Sequence, residues 1–425
     1  MNSDDVILIK GNNASEMFKQ AFNHIDIKSL VEGKQVVLKP NLACWDPRLP
    51  KKVNEWVVTK PAFIADFIRF LKTFKPKSIS VAESSFIGEN MDKKYKNMKL
   101  KEIINDPDIQ IINLDKLPHK KMAFFDRKIE ISEYILDAEV LINMPMLKTH
   151  PETAVSIGMK NLKGILSGDS KKIFHRYGLF KSIAQLSKIL LDQGKPTLTL
   201  VEGLLGLEGM GPLPTGKPKE VGCIILGKNT VSVEAVAIAI MGFTPEEAQH
   251  VKYGEEYGAG IGDLSKINII GNKIEEVKVD FEKPPNEETL FLEALKLLEL
   301  PEDLIDGKHG YLCSTCLLNY LGPIWALRDD AGKEFKQKIY LLSGQAGLPE
   351  SYEGQLILWG NCQRKNYNRN EDNAIFVKGC PPSLMTGYMT LGKTLYTRKK
   401  FLIGLIKRIF KGMSKIGRLE HWPQD

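Results

Sequence analysis

The chain has 425 residues, of which 43% are hydrophobic and 26% are charged, a composition ordinary for a globular protein. This composition excludes a disordered chain, a collagen-like chain and a small disulfide scaffold, and no stretch reaches the roughly 20 apolar residues that a membrane span needs. The net charge of +7 is concentrated between Arg398 and Arg418, where eight basic residues and no acidic residue occur. The remainder is near neutral, so we expect no nucleic-acid partner.

In chain order, short apolar segments alternate with amphipathic ones. The apolar segments predict strands at Val6–Lys10, Gln35–Leu38, Ser78–Val81, Gln110–Leu114, Glu139–Asn143, Thr197–Val201, Gly222–Leu226 and Ile267–Ile270. The amphipathic ones predict helices at Ala14–Phe22, Pro61–Phe74, Leu179–Gln193, Val231–Met241 and Thr244–Tyr257. Strands that are apolar on both faces are typical of parallel sheets, so the predicted fold class is α/β, with a mostly parallel sheet flanked by helices.

Four regions follow from this pattern. Residues 1–273 form the predicted α/β domain, and residues 274–308 form a charged helical bridge. Residues 309–390 contain four of the six cysteines and form a smaller cysteine-containing domain. Residues 391–425 form a basic tail.

Polar side chains follow two of the apolar segments. They are Lys39 and Asn41 after Val36–Leu38, Lys148 and His150 after Val140–Leu147, and then Lys160, Asn161, Lys163 and Gly164. Ligands of parallel sheets bind beyond the carboxyl ends of the strands, so we expect these donors to line a pocket for a small anionic substrate. His150 and His175 have the chemistry to move a proton near neutral pH. The alternative is that the lysines and His175 are ordinary surface residues.

A glycine-rich stretch, Gly203–Gly216, follows the predicted strand Thr197–Val201. Its spacing matches neither a P-loop nor a dinucleotide-binding fingerprint. Glu202 and Glu208 are candidates for a base or a metal ligand, and Gly209 and Gly211 would let the backbone approach a substrate. The alternative is a plain connector with exposed acids.

Several phrases in the first 270 residues together resemble the DUF362 family, whose function is uncharacterised and which is often coupled to iron–sulfur domains. The phrases are Val36-Val-Leu-Lys-Pro-Asn-Leu42, Thr59-Lys-Pro61, Val140–His150, Gly158–Gly164, His175, Val201-Glu-Gly203, Leu207–Pro212 and Val231–Val236. The family more often has Asp where Glu202 and Glu234 stand, and His where Lys60 stands. The resemblance implies an α/β fold and an association with iron–sulfur clusters, and it implies no particular substrate.

Four cysteines are clustered: Cys313, Cys316, Cys362 and Cys380. Four thiolates suit a [4Fe–4S] cluster, and Pro381 after Cys380 fits a Cys-Pro turn at such a cluster. Zinc is the main rival, although structural zinc sites usually show two Cys-x-x-Cys pairs and only the first pair is close here. The third alternative is a thiol or disulfide role, or no metal at all. Cys44 and Cys223 lie in or beside apolar segments and are expected to be buried.

The basic tail predicts an amphipathic helix. Leu402, Leu405, Ile406, Ile409, Met413 and Ile416 share one face, and Lys400, Lys407, Arg408, Lys411, Lys415 and Arg418 share the other. Such a helix suits a peripheral contact with a membrane or an acidic protein through residues 398–418, or it packs on its own core. The N-terminus shows no secretory signal, so we expect a cytoplasmic protein that could contact the inner face of the membrane.

These features lead to one hypothesis and two alternatives. The hypothesis is an iron–sulfur oxidoreductase whose cluster, held by the four clustered cysteines, exchanges electrons with a ferredoxin-like partner. Its predicted catalytic residues are Lys148, His150, Lys160, His175 and Glu202, and its substrate-binding residues are Lys39, Asn41, Asn161, Lys163, Gly164, Glu208, Gly209 and Gly211. The alternatives are a non-redox lyase or isomerase with a structural metal, and a non-enzymatic cluster carrier or scaffold at a membrane.

Overall fold

The computed structural model describes residues 2–43, 45, 51–85, 90–212, 216–286, 289–297, 305–310, 314–332, 334–368 and 374–411. The chain divides into two compact units, unit 1 at Met1–Pro284 and unit 2 at Pro285–Asp425. The boundary lies between two consecutive prolines, within the segment 274–308 that was predicted as a bridge.

Unit 1 is built on a large sheet. Its described strands are β1 (Val6–Lys10), β2 (Gln35–Pro40), β3 (Ser78–Glu83), β4 (Gln110–Asn113), β5 (His119–Phe124), β6 (Arg127–Ser132), β7 (Val140–Met144), β8 (Met146–His150), β9 (Ala154–Val155), β10 (Leu198–Glu208), β11 (Lys217–Gly227) and β12 (Ile269–Gly271). The sheet order is β12-β1-β11-β10-β7-β2-β3-β4, β8 joins β10, β9 joins β8, and β5 and β6 form a separate hairpin. β2, β3, β4, β7 and β10 are parallel, whereas β11 is antiparallel to both neighbours. The predicted, mostly parallel α/β fold is confirmed.

The glycine-rich stretch differs from the prediction because its first half continues β10 to Glu208, with a bulge between Gly203 and Leu205. Small residues are required there. A Cβ at Gly203 would lie 2.7 Å from Cys223 Sγ, and a Cβ at Gly206 would lie 2.4 Å from Phe281 Cζ. These glycines therefore allow close packing within the sheet.

Helices cover both faces of this sheet. The described helices of unit 1 are α1 (Ala14–Phe22), α2 (Ile27–Val31), α3 (Lys51–Val57), α4 (Pro61–Lys72), α5 (Met91–Met98), α6 (Leu100–Ile104), α7 (Glu133–Leu136), α8 (Gly158–Asn161), α9 (Gly168–Ile173), α10 (Leu179–Asp192), α11 (Thr230–Ile240), α12 (Gln249–Glu256) and α13 (Ile274–Val277). Local signals set several ends: the Asn13 side chain caps α1, and Pro61 opens α4. α12 begins at Gln249 rather than Thr244, because Thr244 and Glu247 form a turn before it.

The core of unit 1 lies on both sides of the sheet because successive strand residues point to opposite faces. Val36 and Leu38 pack on one side, in a cluster that includes Phe18 and Phe67. Val37 packs on the other side, in a cluster that includes Ile183 of α10. The carboxyl ends of β2, β3 and β7 thus emerge from a sheet that is held rigidly between two helical layers.

Unit 2 contains a smaller parallel sheet. Its described strands are β13 (Ile305–Gly310), β14 (Ile339–Gly344), β15 (Gln355–Trp359) and β16 (Ala374–Val377), paired in that order. Its described helices are α14 (Leu290–Leu297), α15 (Ser314–Ala331), α16 (Arg364–Tyr367), α17 (Leu384–Leu395) and α18 (Arg398–Lys411). The predicted smaller C-terminal domain is therefore itself α/β.

The helix predicted in the tail exists as α18, but its faces differ from the prediction. Arg408, expected on the solvated basic face, is 4% exposed and lies on the packed side. Its Nε donates to Asp330 Oδ2 at 2.6 Å, and the same oxygen accepts from the Tyr388 hydroxyl at 2.8 Å. A helical wheel of α18 contains only the residues of that helix, so it could not show that Arg408 pairs with the buried Asp330 of α15. The tail residues Met413, Lys415, Ile416 and Arg418 lie outside the described residues.

None of the described helices has both the length and the apolar composition that crossing a membrane requires.

Candidate functional site

Charged and amide side chains meet at the carboxyl ends of β2 and β3. The Lys39 ammonium is fully buried and donates to Glu83 Oε2 at 2.7 Å, Pro40 O at 2.9 Å and Asn161 Oδ1 at 3.1 Å. Burial lowers the pKa of Lys39, and the Glu83 carboxylate opposes that shift. In this structure all three Lys39 donors have protein acceptors, so Lys39 holds the strand ends together.

Asn161 fixes α8 over these strand ends. Its Nδ2 donates to Lys39 O at 3.1 Å and to Asn143 Oδ1 at 2.8 Å. Gly164 follows, and its lack of a side chain is essential, because a Cβ there would lie 2.2 Å from Glu83 Oε1 and 2.6 Å from Lys39 Nζ. Lys39, Asn161 and Gly164 are therefore brought together, as the sequence predicted.

Lys148 and Asn41 form a second part of this network. The Lys148 ammonium, which is buried, donates to Asn41 Oδ1 and to Val57 O, both at 2.9 Å. The Asn41 N–H donates to Thr59 Oγ1 at 2.9 Å, which connects the network to the start of α4. Lys148 and Asn41 were both predicted at the site, and they contact each other. We call Lys39, Asn41, Glu83, Asn143, Lys148 and Asn161 the Lys39 network.

Imidazoles and lysines form the part of the site with the greatest excess of positive charge. Lys160 and Lys163 are partly exposed, and their charges act on both His150 and His175. Burial and these lysines hold the pKa of both imidazoles well below its usual value, so both rings are neutral at pH 7. Glu152 contacts both rings: its N–H donates to His150 Nδ1 at 3.1 Å, and its Oε2 lies 3.6 Å from His175 Nδ1. We call His150, Glu152, Lys160, Lys163 and His175 the His–Lys cluster.

Glu202 lies in the interior of β10, beside Lys60. Its Oε2 accepts from the Lys60 N–H at 2.8 Å, and its Oε1 is 4.0 Å from Lys60 Nζ. Burial raises the pKa of Glu202 to about 7, against the opposing effect of Lys60. Among the described residues, Oε1 receives no hydrogen bond. A carboxyl group that titrates near neutral pH is suited to proton transfer.

The predicted residues Glu208, Gly209 and Gly211 lie at the carboxyl end of β10. Glu208 Oε2 accepts from the Glu282 N–H at 2.9 Å and is 3.2 Å from Lys219 Nζ. Gly209 donates to Glu282 O, and Thr149 Oγ1 donates to Gly209 O at 2.9 Å. Thr149 stands between Lys148 and His150 in β8, so its hydrogen bond connects the end of β10 to the strand that carries those two residues.

Several residues at the site were missed by sequence reasoning. Glu83 and Asn143 stand at or near the carboxyl ends of β3 and β7, so the strand-end rule applied to all strands would have found them. Glu152 and Lys171 carry no such signal. Lys171 lies in α9 and donates to Ser84 Oγ at 2.5 Å. Burial lowers the pKa of Lys171 to about 8.

A buried contact between a carboxyl group and an imidazole supports α8. His250 Nε2 is 2.9 Å from Glu234 Oε1, and both side chains are fully buried. The other oxygen of Glu234 accepts from the Met159 N–H at 2.9 Å. Glu234, noted in the family phrases, therefore positions the helix that carries Lys160 and Asn161.

The clustered cysteines belong to unit 2. Cys316 is buried at the start of α15, while Cys362 and Cys380 are exposed and follow β15 and β16. Cys313 lies outside the described residues, as does Cys44, and Cys223 of unit 1 is buried as predicted. Within the described ranges there is no disulfide, and no group of three or more His, Cys, Asp or Glu side chains could hold a metal ion.

The loops that carry these cysteines are nevertheless joined. The Asn361 N–H donates to Gly379 O at 2.7 Å, and the Gly379 N–H donates to Asn361 Oδ1 at 3.1 Å. A Cβ at Gly360 would lie 4.0 Å from Cys316 Sγ. Because the strands are parallel, these loops and the start of α15 share one edge of the sheet. The two hydrogen bonds therefore hold the segments that carry Cys362 and Cys380 next to each other.

The fold and the site together define an α/β protein with a cationic, imidazole-containing site at the carboxyl ends of parallel strands. Residues 36–239, just under half of the chain, match the family described as "Domain of unknown function (DUF362)", in agreement with the resemblance seen in the sequence. This range includes the Lys39 network and the His–Lys cluster, and it excludes the four clustered cysteines.

Known proteins resemble the chain at low identity. A thylakoid-associated protein of Synechocystis sp. is 25% identical over 221 residues, which are 50% of this chain and 64% of that protein. The lactate racemase apoprotein of Thermoanaerobacterium thermosaccharolyticum aligns with 96% of this chain and 81% of its own, at 11% identity and a TM-score of 0.30. A Thermotoga maritima protein aligns with 90% and 84%, at 10% identity and a TM-score of 0.39. Neither score is high enough to inform the function.

Proposed function

We propose that this protein is an iron–sulfur redox protein that binds a small anion at the His–Lys cluster of unit 1. In this proposal, Cys313, Cys316, Cys362 and Cys380 hold a [4Fe–4S] cluster in unit 2. The main support is that Cys362 and Cys380 follow the carboxyl ends of the parallel strands β15 and β16, in segments joined by two hydrogen bonds. Such a cluster supplies one-electron transfer, and a ferredoxin-like protein is the proposed electron partner.

The positions of the lysine charges support the proposed anion site. Lys160 and Lys163 are partly exposed, whereas Lys39 and Lys148 are buried. The two outer lysines therefore remain in reach of solvent, next to two neutral imidazoles that add N–H donors without adding charge. Lysines and imidazoles are suited to phosphate or carboxylate, and a buried imidazole can also move a proton.

Metal content tests the cluster. Anaerobically purified protein is expected to contain about four iron and about four sulfide per chain, with visible absorption that dithionite bleaches. Cys380→Ser and Cys362→Ser each remove a thiolate ligand, so we expect both to lose most of the iron. Cys223→Ala is the matched control, because Cys223 is buried in unit 1, and it should retain the iron.

Zinc in place of iron, or iron that survives both serine substitutions, would exclude the proposed cluster. The measurements are iron, zinc and acid-labile sulfide per chain, made on the wild type and all three variants under one protocol.

Anion binding tests the His–Lys cluster. We expect inorganic phosphate to raise the melting temperature of the wild type at constant ionic strength, since a ligand that binds the folded state stabilises it. The double variant Lys160→Gln/Lys163→Gln should lose about tenfold in affinity or more. A bound anion favours the protonated imidazoles, so the complex holds more protons than the unliganded protein and binding should strengthen as pH falls.

Lys172→Gln is the control for that experiment, because Lys172 is exposed and pairs with Asp169 nearby in the chain. Equal phosphate affinity in the double variant and the control would show that the anion site lies elsewhere.

A second candidate is a non-redox enzyme that uses acid–base chemistry on an anionic substrate. It is favoured by the contacts of Glu152 with both imidazoles and by the raised pKa of Glu202. Turnover of a substrate by protein that contains zinc or no metal, without an electron donor, would establish this candidate over the redox proposal.

A further inference from the structure

Helix α18 turns an apolar face toward solvent. Its exposed large apolar side chains are Leu402 (46%), Ile403 (47%), Ile406 (54%), Ile409 (58%) and Phe410 (88%). Five exposed large apolar residues therefore occur within the fourteen residues of α18. The other large apolar residues that are exposed among the described positions occur singly along the chain.

This exposure follows from how α18 is anchored. Phe401, Gly404 and Arg408 recur at helical spacing on the side packed against unit 2. A Cβ at Gly404 would lie 3.0 Å from Ala331 Cβ, and Arg408 is paired with the buried Asp330. With that side fixed, the outward residues cannot rotate inward without breaking the buried ion pair.

The charges around this face have one sign. Arg398, Lys399 and Lys407 are exposed on the same helix, and no acidic residue occurs between 398 and 418. On a helical wheel Arg398 and Lys407 lie on opposite flanks of the apolar residues, at about 100° per residue. A helix of this length is about 21 Å long, which is too short to cross a bilayer but suited to lie along one.

We propose that the outward face of α18 binds the surface of a membrane that contains anionic lipids. The apolar side chains would enter the boundary between headgroups and acyl chains, to a depth of about 5–10 Å, while the flanking cations contact lipid phosphates. Charge complementarity selects an anionic lipid surface over a second copy of this chain, since two copies of α18 would bring like charges together.

Vesicle binding by the full chain tests this proposal. We expect the wild type to co-sediment with vesicles of phosphatidylglycerol and phosphatidylcholine, and to bind vesicles of phosphatidylcholine alone at least about tenfold more weakly. Ile406→Glu/Phe410→Glu should lower binding by at least about tenfold, because it places two carboxylates in the membrane-facing side. Both positions are exposed, so the fold should be retained.

The matched control is Leu191→Glu/Met385→Glu, which adds the same charge at apolar positions that are about 40% exposed elsewhere. It should bind like the wild type. Lys399→Gln/Lys407→Gln should weaken binding only to the anionic vesicles.

Two results would overturn the proposal. One is equal vesicle binding by Ile406→Glu/Phe410→Glu and its control. The other is a wild type that binds neither kind of vesicle but forms a dimer that the Ile406→Glu/Phe410→Glu variant loses, which would assign the face to self-association.

Discussion

Gly164→Ala is expected to lower the free energy of unfolding of unit 1 by about 3 kcal/mol or more. The new methyl group would lie 2.2 Å from Glu83 Oε1 and 2.6 Å from Lys39 Nζ, so it must separate a buried ion pair. Breaking such a pair typically costs about 3–5 kcal/mol, because the desolvated charges lose their compensation. Denaturant unfolding of the wild type and the variant measures the loss.

Gly168→Ala is the matched control for this prediction. Gly168 opens α9, and a Cβ there meets no atom within 4 Å. Alanine at this position should leave stability unchanged or raise it by up to about 1 kcal/mol, because alanine loses less backbone freedom on folding. If both alanine variants were equally stable, the tight contact around Gly164 would not hold in solution.

Asp330→Ala is expected to destabilise unit 2 by about 3–5 kcal/mol. Asp330 accepts hydrogen bonds from Arg408 and from the Tyr388 hydroxyl, and its removal leaves the Arg408 guanidinium buried beside an alanine. We also expect α18 to separate from α15, which would appear as faster amide hydrogen exchange in residues 398–411.

The adjacent Asp329 provides the control. Its Oδ2 is 3.8 Å from Arg408 Nη2, but its side chain is 47% exposed. An exposed pair of this kind contributes at most about 1 kcal/mol, so Asp329→Ala should unfold close to the wild type. If both alanine variants lost a similar amount of unfolding free energy, burial would not explain the contribution of Asp330 to stability.

The positions of most strands in unit 1 could be predicted from sequence because apolar runs bounded by turns are local signals, whereas β5, β6, β8 and β9 and the order of the strands were not predicted. The strand-end rule also located Lys39, Asn41, Lys148 and Asn161 in one network. The partners of these residues could not be predicted, since Lys39 meets Glu83 and Asn161 through contacts that span 44 and 122 positions. Sequence patterns can thus identify residues that lie close together, whereas the tertiary fold determines which of them are accessible to a ligand.

The tail is a second case in which tertiary contacts could not be predicted from sequence. Helical spacing correctly grouped Leu402, Ile406 and Ile409 on one face, but it gave no information on which face would pack. That choice depended on Asp330, a residue of α15 that offers a buried partner to Arg408. For the four clustered cysteines, the iron–sulfur cluster stays a prediction.

The position of β1 has a consequence for the order of folding. β1 lies between β11 and β12, and Val6 pairs with both Gly227 and Ile269. Among the described strands, β1 therefore has no neighbour to pair with until residues of β11 have been synthesised. Contacts this distant in sequence form late and slow the folding of a domain. A nascent chain that stops before β11 would expose the apolar strand Val6–Lys10 on both of its edges, where it is open to pairing with other chains.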